Sequence, residues 1–188
     1  MRTMGRGLLL LLVVAFAAGV WDARSDRGTT PRRAAPFGTG PVAREGSGEP
    51  RRGAPVNRER TPRPAPQLVS VRVDERNGYD RVVFSFEGSA PGYRVRYLPR
   101  VEGPGGRPLP LRGAAFVEVA FEPARARGPD GRTTFPARAI TPNSPVLRQV
   151  RFAGDFEGQV RFGLGVAARG GVRVSELADP TRVAVDVR

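Results

Sequence analysis

Gly78-Tyr79-Asp80-Arg81-Val82-Val83-Phe84-Ser85-Phe86 is the stretch whose reading decides the fold. Val82, Phe84 and Phe86 alternate with Val83, Ser85 and Glu87. Successive side chains of a strand point to opposite faces, so a period of two marks a strand with one face buried. Upstream, Val69, Val71 and Val73 alternate with Ser70, Arg72 and Asp74. Asn77-Gly78 lies between the two runs and suits a turn that needs positive φ. Together they predict an antiparallel hairpin.

The same period recurs downstream. Tyr93, Val95 and Tyr97 alternate with Arg94, Arg96 and Leu98; Val117, Val119 and Phe121 alternate with Glu118 and Ala120. Then come Val150 and Phe152, the run Val160, Phe162, Leu164 and Val166, the pair Val172 and Val174, and Val183, Val185 and Val187. Gly or Pro punctuates the gaps, as at Pro91-Gly92, Pro104-Gly105-Gly106, Asp130-Gly131, Gly170-Gly171 and Asp179-Pro180. No stretch keeps a helical period over a full window. Residues 67–188 therefore predict an all-β domain, an antiparallel β-sandwich or partly open barrel of about eight short strands. One short turn is expected at Ser144–Gln149. Pro123 to Pro145 is the least regular stretch and predicts a long excursion, with Phe135 and Ile140 as anchors to the core.

Composition changes before Gln67. Asp22 to Pro66 holds 8 Pro and 6 Gly in 45 residues, with little that can be buried. Such a segment cannot offset its ordering entropy, so residues 22–66 predict a disordered linker. Its span is roughly 40 Å as a coil and roughly 140 Å fully stretched. At the start, Arg2 and Arg6 precede an uncharged, mostly apolar run of 14 residues, Leu8 to Trp21. A membrane span needs about 20 apolar residues, so residues 1–21 fit a secretory signal better than a span. Ala15-Phe16-Ala17 offers a cleavage site, whereas Trp21 suits a membrane interface, so a cleaved signal and a signal-anchor through residues 8–21 both stay open.

The chain has neither Cys nor His. Disulfides, cysteine nucleophiles, Cys/His zinc sites and serine–histidine triads are thereby excluded, as is a lipid-bearing cysteine. No cofactor is expected. The net charge is +13, and all 31 basic residues are arginine. A complete absence of lysine reflects a GC-rich coding sequence as much as function. The arginines are also spread out: residues 1–66 hold 12 Arg and 5 acids, and residues 67–188 hold 19 Arg and 13 acids. With no stacking platform or motif beside them, no nucleic-acid partner is expected.

Two candidate sites follow. With the valines inward, Arg72, Arg94, Arg96, Arg161 and Arg173 point outward, and a shared face would suit an anionic glycan, a peptide carboxylate or a wall phosphate. Asp155-Phe156-Glu157 places two carboxylates and an aromatic on a turn, which fits calcium, an acid/base pair or sugar stacking, or simply turn structure. Carboxylate-based glycan hydrolysis is the one enzymatic option left, and the scattered acids argue against it.

Three segments also carry a resemblance: Gly78 to Phe86, then Gly154-Asp155-Phe156-Glu157-Gly158, then Asp179-Pro180-Thr181-Arg182-Val183-Ala184-Val185-Asp186-Val187. In that order, after a signal and a Pro-rich linker, they resemble the AMIN-like domain of actinobacterial envelope proteins. The resemblance implies a small β-sandwich over residues 67–188, no catalytic residues, an extracytoplasmic location, and a cell-wall glycan or another envelope protein as partner. Many members of this branch carry a lipid-bearing cysteine, which this chain lacks. Asp80, Arg81, Asp179 and Arg182 recur just before valine-rich strands. Their expected role is structural, with Arg81 and Arg182 pairing acids at the sandwich rim.

Overall fold

A computed structural model describes residues 51–188. In chain order the strands are β1 (Arg51–Arg52), β2 (Val56–Arg58), β3 (Gln67–Arg76), β4 (Tyr79–Glu87), β5 (Gly92–Leu98), β6 (Ala115–Glu122), β7 (Ala139–Ile140), β8 (Leu147–Phe156), β9 (Gln159–Val166), β10 (Gly171–Leu177) and β11 (Arg182–Val187). The eight long ones coincide with the eight alternating runs. A five-stranded sheet runs β1-β10-β11-β4-β3 and a six-stranded sheet runs β2-β5-β6-β9-β8-β7, with every pairing antiparallel. Two open sheets packed face to face make a sandwich, which decides against the barrel.

Phenylalanines fill the space between the sheets. Phe84 of β4 meets Phe121 of β6 at 4.9 Å and Phe162 of β9 at 5.0 Å between ring centroids. Phe135 enters from the long excursion and packs on Phe152 and Phe162 at 5.2 and 5.6 Å. Edge-on rings of this kind add about 0.5–1.5 kcal/mol per pair beyond their buried area. The excursion is also held by backbone bonds: Leu68 N donates to Arg125 O at 2.8 Å, and Thr134 Oγ1 donates to Leu68 O.

Four details differ from the expectation. Val69 is not a core residue, because a bulge between Leu68 and Ser70 turns Leu68 inward instead. Val83, Glu118 and Ala120 are buried although they point away from the core; Arg72 stands opposite Val83, Arg96 opposite Glu118, and Arg94 and Arg161 on either side of Ala120. Ser144–Gln149 is not one turn, since β8 already begins at Leu147. Finally, the linker does not run free to Pro66. β1 pairs with β10 and β2 with β5, so residues 51–58 cross from one sheet to the other along the same side of the sandwich. The pairing works because each strand adds to an open edge, where backbone donors and acceptors wait for partners.

Arginines and Glu176 secure this crossing strap. Glu176 of β10 accepts from Arg60 at 2.7 Å, from Arg58 at 3.3 Å and from the Tyr93 hydroxyl of β5 at 3.1 Å. Burial works to raise the Glu176 carboxyl, but the Arg60 bond and charge, helped by Tyr93 and Arg58, leave it below its ordinary value. Burial and the Glu176 charge push the Tyr93 phenol up. Residues 1–50, with the expected signal and most of the linker, lie outside the described residues. Among the described residues no helix is long and apolar enough to cross a membrane.

Candidate functional site

The five outward arginines divide between the sheets. Arg72 on β3 and Arg173 on β10 lie on the outer face of the five-stranded sheet. There Arg173, Asp186, Arg81 and Asp74 stand opposite one another on successive strands, an alternating row of charge. Arg72 and Arg76 flank Asp74 at 3.5 and 3.7 Å. In the middle, Arg81 grips Asp186 with two bonds of 2.7 and 2.9 Å. Such a neutralised row knits four strands and leaves little charge for a ligand.

Of the other recurring residues, Asp80 points into the sandwich, where it accepts from Leu147 N at 2.8 Å and from the Ser144 hydroxyl. It thus pins the start of β8. Asp179 takes φ +51 in the β10–β11 turn. Arg182 departs from the expected acid pairing: it reaches the Pro180 carbonyl of its own turn at 3.2 Å. Arg81 departs too, because its acid lies within the sheet instead of at the rim.

Arg94, Arg96 and Arg161 share the outer face of the six-stranded sheet. Arg94 and Arg161 flank Ala120, one on each neighbouring strand. Arg96 stands opposite the buried Glu118 and bonds it at 2.9 Å, while Arg161 approaches the same carboxylate at 3.7 Å. Two guanidiniums on one acid leave this face net positive.

A groove of about 880 Å³ opens on this face. One wall is the loop over residues 103–110, which folds across β9 so closely that a Cβ on Gly163 would lie 3.0 Å from Leu109. The other walls are the end of β8, the start of β7 and the excursion. Five arginines line it: Arg107, Arg127, Arg138, Arg151 and Arg161. Asp155 is the one acid lining it, and its carboxylate already accepts from Ala126 N at 2.8 Å. Phe156, 73 % exposed, stands at its end on the β8–β9 turn, where Glu157 and Gly158 take φ +50 and +76. Arg94 belongs to a second groove, of about 810 Å³, between the strap and β5, β6 and β9.

The groove thus gathers Arg161, Asp155 and Phe156 from the expected residues, but not Arg72, Arg94, Arg96, Arg173 or Glu157. It adds four arginines that the sequence reading missed. Arg151 alternates with Val150 and Phe152, so the period of two could have found it. Arg107, Arg127 and Arg138 come from irregular segments with no such period. The Asp155–Glu157 pair does not present two carboxylates to one cleft, because Asp155 holds the excursion.

The family model of the AMIN-like domain matches residues 66–188, from the residue before β3 to the chain's last residue. No curated protein matches the chain.

Proposed function

The chain belongs to the AMIN-like domain family, and on that footing we propose a non-catalytic domain that holds to the cell wall by the arginine-rich outer face of its six-stranded sheet. Membership carries the coarser part, a peptidoglycan-associated envelope domain. Export through residues 1–21, and attachment through residues 8–21 where that segment is retained, complete the proposal. The observation that carries the finer part is the charge of the groove: five arginines line it, and its one acid is engaged by a backbone amide. Wall polymers carry carboxylates and phosphates, and guanidinium forks suit both.

Hydrolysis of glycan needs two carboxylates across a cleft; the arginine-rich groove offers one, already bonded. In the second groove Glu59 and Glu122 lie among Arg58, Arg60, Arg63 and Arg94, with Glu122 accepting from Gln159 at 2.7 Å. Docking of an envelope protein by strand addition would use an open edge, of which β3 is the longest, and the start of β3 is already paired with Arg125. That edge carries Arg72, Asp74, Glu75 and Arg76, charges of the kind that discourage such pairing. The observations therefore favour the wall.

Sedimentation of the full chain with insoluble peptidoglycan tests the proposal. Retention at low salt that weakens as salt is added is the expected result, since exposed charges are screened within about 10 Å at 0.1 M. A chain left in the supernatant at low salt overturns wall binding, and release of soluble fragments overturns the non-catalytic reading.

A further inference from the structure

We propose that the groove takes an acidic saccharide, with Arg107 and Arg138 holding a carboxylate and Phe156 stacking on a sugar face. The proposal rests on the wall-binding reading and narrows it to a ligand class.

The arginines of the groove are not equivalent. Arg127 donates to Gly131 O at 2.7 Å, Arg151 to Pro110 O at 3.1 Å, and Arg161 leans on Glu118. These three are tied to the protein and chiefly set the local potential. Arg107 and Arg138 are exposed, and among the described residues neither guanidinium meets an acid. Their backbones are nevertheless fixed. Arg107 O accepts from Gly103 N at 2.8 Å across the loop tip, and Arg138 O accepts from Phe152 N at 2.8 Å. Two held backbones bring uncommitted guanidiniums to the groove, where charge-assisted bonds to a carboxylate offset the rotamer freedom that the two long side chains lose.

Phe156 is the large hydrophobic residue left exposed among the described residues. A ring has few rotatable bonds and loses little entropy on contact, and its flat face suits the C–H face of a sugar. An acidic peptide fits the same charge less well. An extended peptide needs backbone partners, but the loop wall is built of Pro104, Pro108 and Pro110, which have no N–H. The wall's Gly103, Gly106 and Leu109 amides already bond within the loop.

Calorimetry on the full chain, with three probes, tests this. The probes are a tetrasaccharide of uronic acid, the same sugar with its carboxyls reduced to alcohols, and a tetraglutamate peptide. The acidic sugar is expected to bind at least about tenfold more tightly than either other probe. Arg107→Gln and Arg138→Gln should each weaken it about tenfold, and Phe156→Ala about three- to tenfold. Arg72→Gln, on the other sheet, removes the same charge and should leave binding unchanged. All four residues are exposed, so the variants keep their fold. Failure of the acidic sugar to bind, equal binding of tetraglutamate, an unaffected Phe156→Ala, or an Arg72→Gln as weak as Arg107→Gln each overturns the proposal. The two readings separate: peptidoglycan retention that survives Arg107→Gln/Arg138→Gln keeps the wall and ends the groove. Sugar binding without peptidoglycan retention does the reverse.

Discussion

Removal of one half of the Arg81–Asp186 pair should cost the fold more than removal of both. The pair joins β4 to β11 by two bonds of 2.7 and 2.9 Å, with the Asp186 side chain 7 % exposed and that of Arg81 19 %. Loss of one partner from a buried pair costs about 3–5 kcal/mol, because a charge is left without compensation. Water reaches part of the guanidinium, and Tyr79 lies 5.8 Å beneath it, so Asp186→Ala should sit lower, at about 2–3 kcal/mol. Arg81→Met removes both bonds to the better-buried carboxylate but leaves Arg173 opposite it on β10, and should cost about 2–3 kcal/mol. The double change Arg81→Met/Asp186→Leu replaces two charges by apolar groups of like shape, although Leu is bulkier than Asp and Arg173 and Asp74 lose their facing charges, so it should cost about 1–1.5 kcal/mol, less than either single change. Urea unfolding followed by far-ultraviolet circular dichroism measures all three. With a slope of about 2 kcal/mol per molar urea, the single variants should lose about 1–1.5 M of midpoint. Single variants that shift by less than about 0.3 M, or a double variant that loses the sum of both, would refute the reasoning.

Three further outcomes are expected. Asp80→Ala leaves the Ser144 hydroxyl and the Leu147 amide without their acceptor, so it should destabilise by about 2–4 kcal/mol and speed hydrogen exchange at the Leu147 amide. Glu176 ionises at lower pH in the fold than in the unfolded chain, so the unfolded chain takes up its proton first on acidification. Its contribution is whole above the ordinary carboxylate value near 4.5 and fades as pH falls through the lower folded value; Glu176→Gln should flatten that acid limb in a melting-temperature series, by a modest amount because the side chain is 25 % exposed. Gly165→Ala would bring a Cβ to 1.9 Å from the Arg112 carbonyl oxygen and should cost about 3 kcal/mol or more in thermal unfolding. Gly163→Ala meets the side-chain tips of Leu111 at 2.6 Å and Leu109 at 3.0 Å, which can swing aside more readily than backbone, and should cost less than Gly165→Ala, about 1–2 kcal/mol.

Much of the sandwich was legible because its strands are half-buried, and half-burial writes itself as alternation. Val160, Phe162, Leu164 and Val166 all reach the core in the order their spacing predicts. Alternation cannot say which strands share a sheet. Arg72 and Arg96 look alike along the chain, yet they stand on opposite faces of the molecule because β3 joins β4 while β5 joins β6. Legibility also failed where pairing leaves no apolar period. Residues 51–58 enter the sheets through backbone bonds, with Val56 packed on the core and Arg60 holding Glu176 just beyond, and their composition reads as linker. The groove was hidden for a related reason. Arg107 and Arg138 are set by loop geometry, and only the assembled sheet brings them to one opening.

The strap also gives the domain a direction in which it is weak. Tension applied from the residue-50 side meets β1 and β2 first, which pair over two and three residues. Such short pairings open one after another, like a peeled strip, instead of shearing together. Paying out residues 51–66 frees a contour of roughly 50 Å at about 3.3 Å per residue, part of which the strap already spans, before tension reaches the eight long strands. The Arg60–Glu176 contact sits within that stretch as a catch. The domain thus carries a built-in slack that absorbs a tug while the groove on its six-stranded sheet keeps its shape.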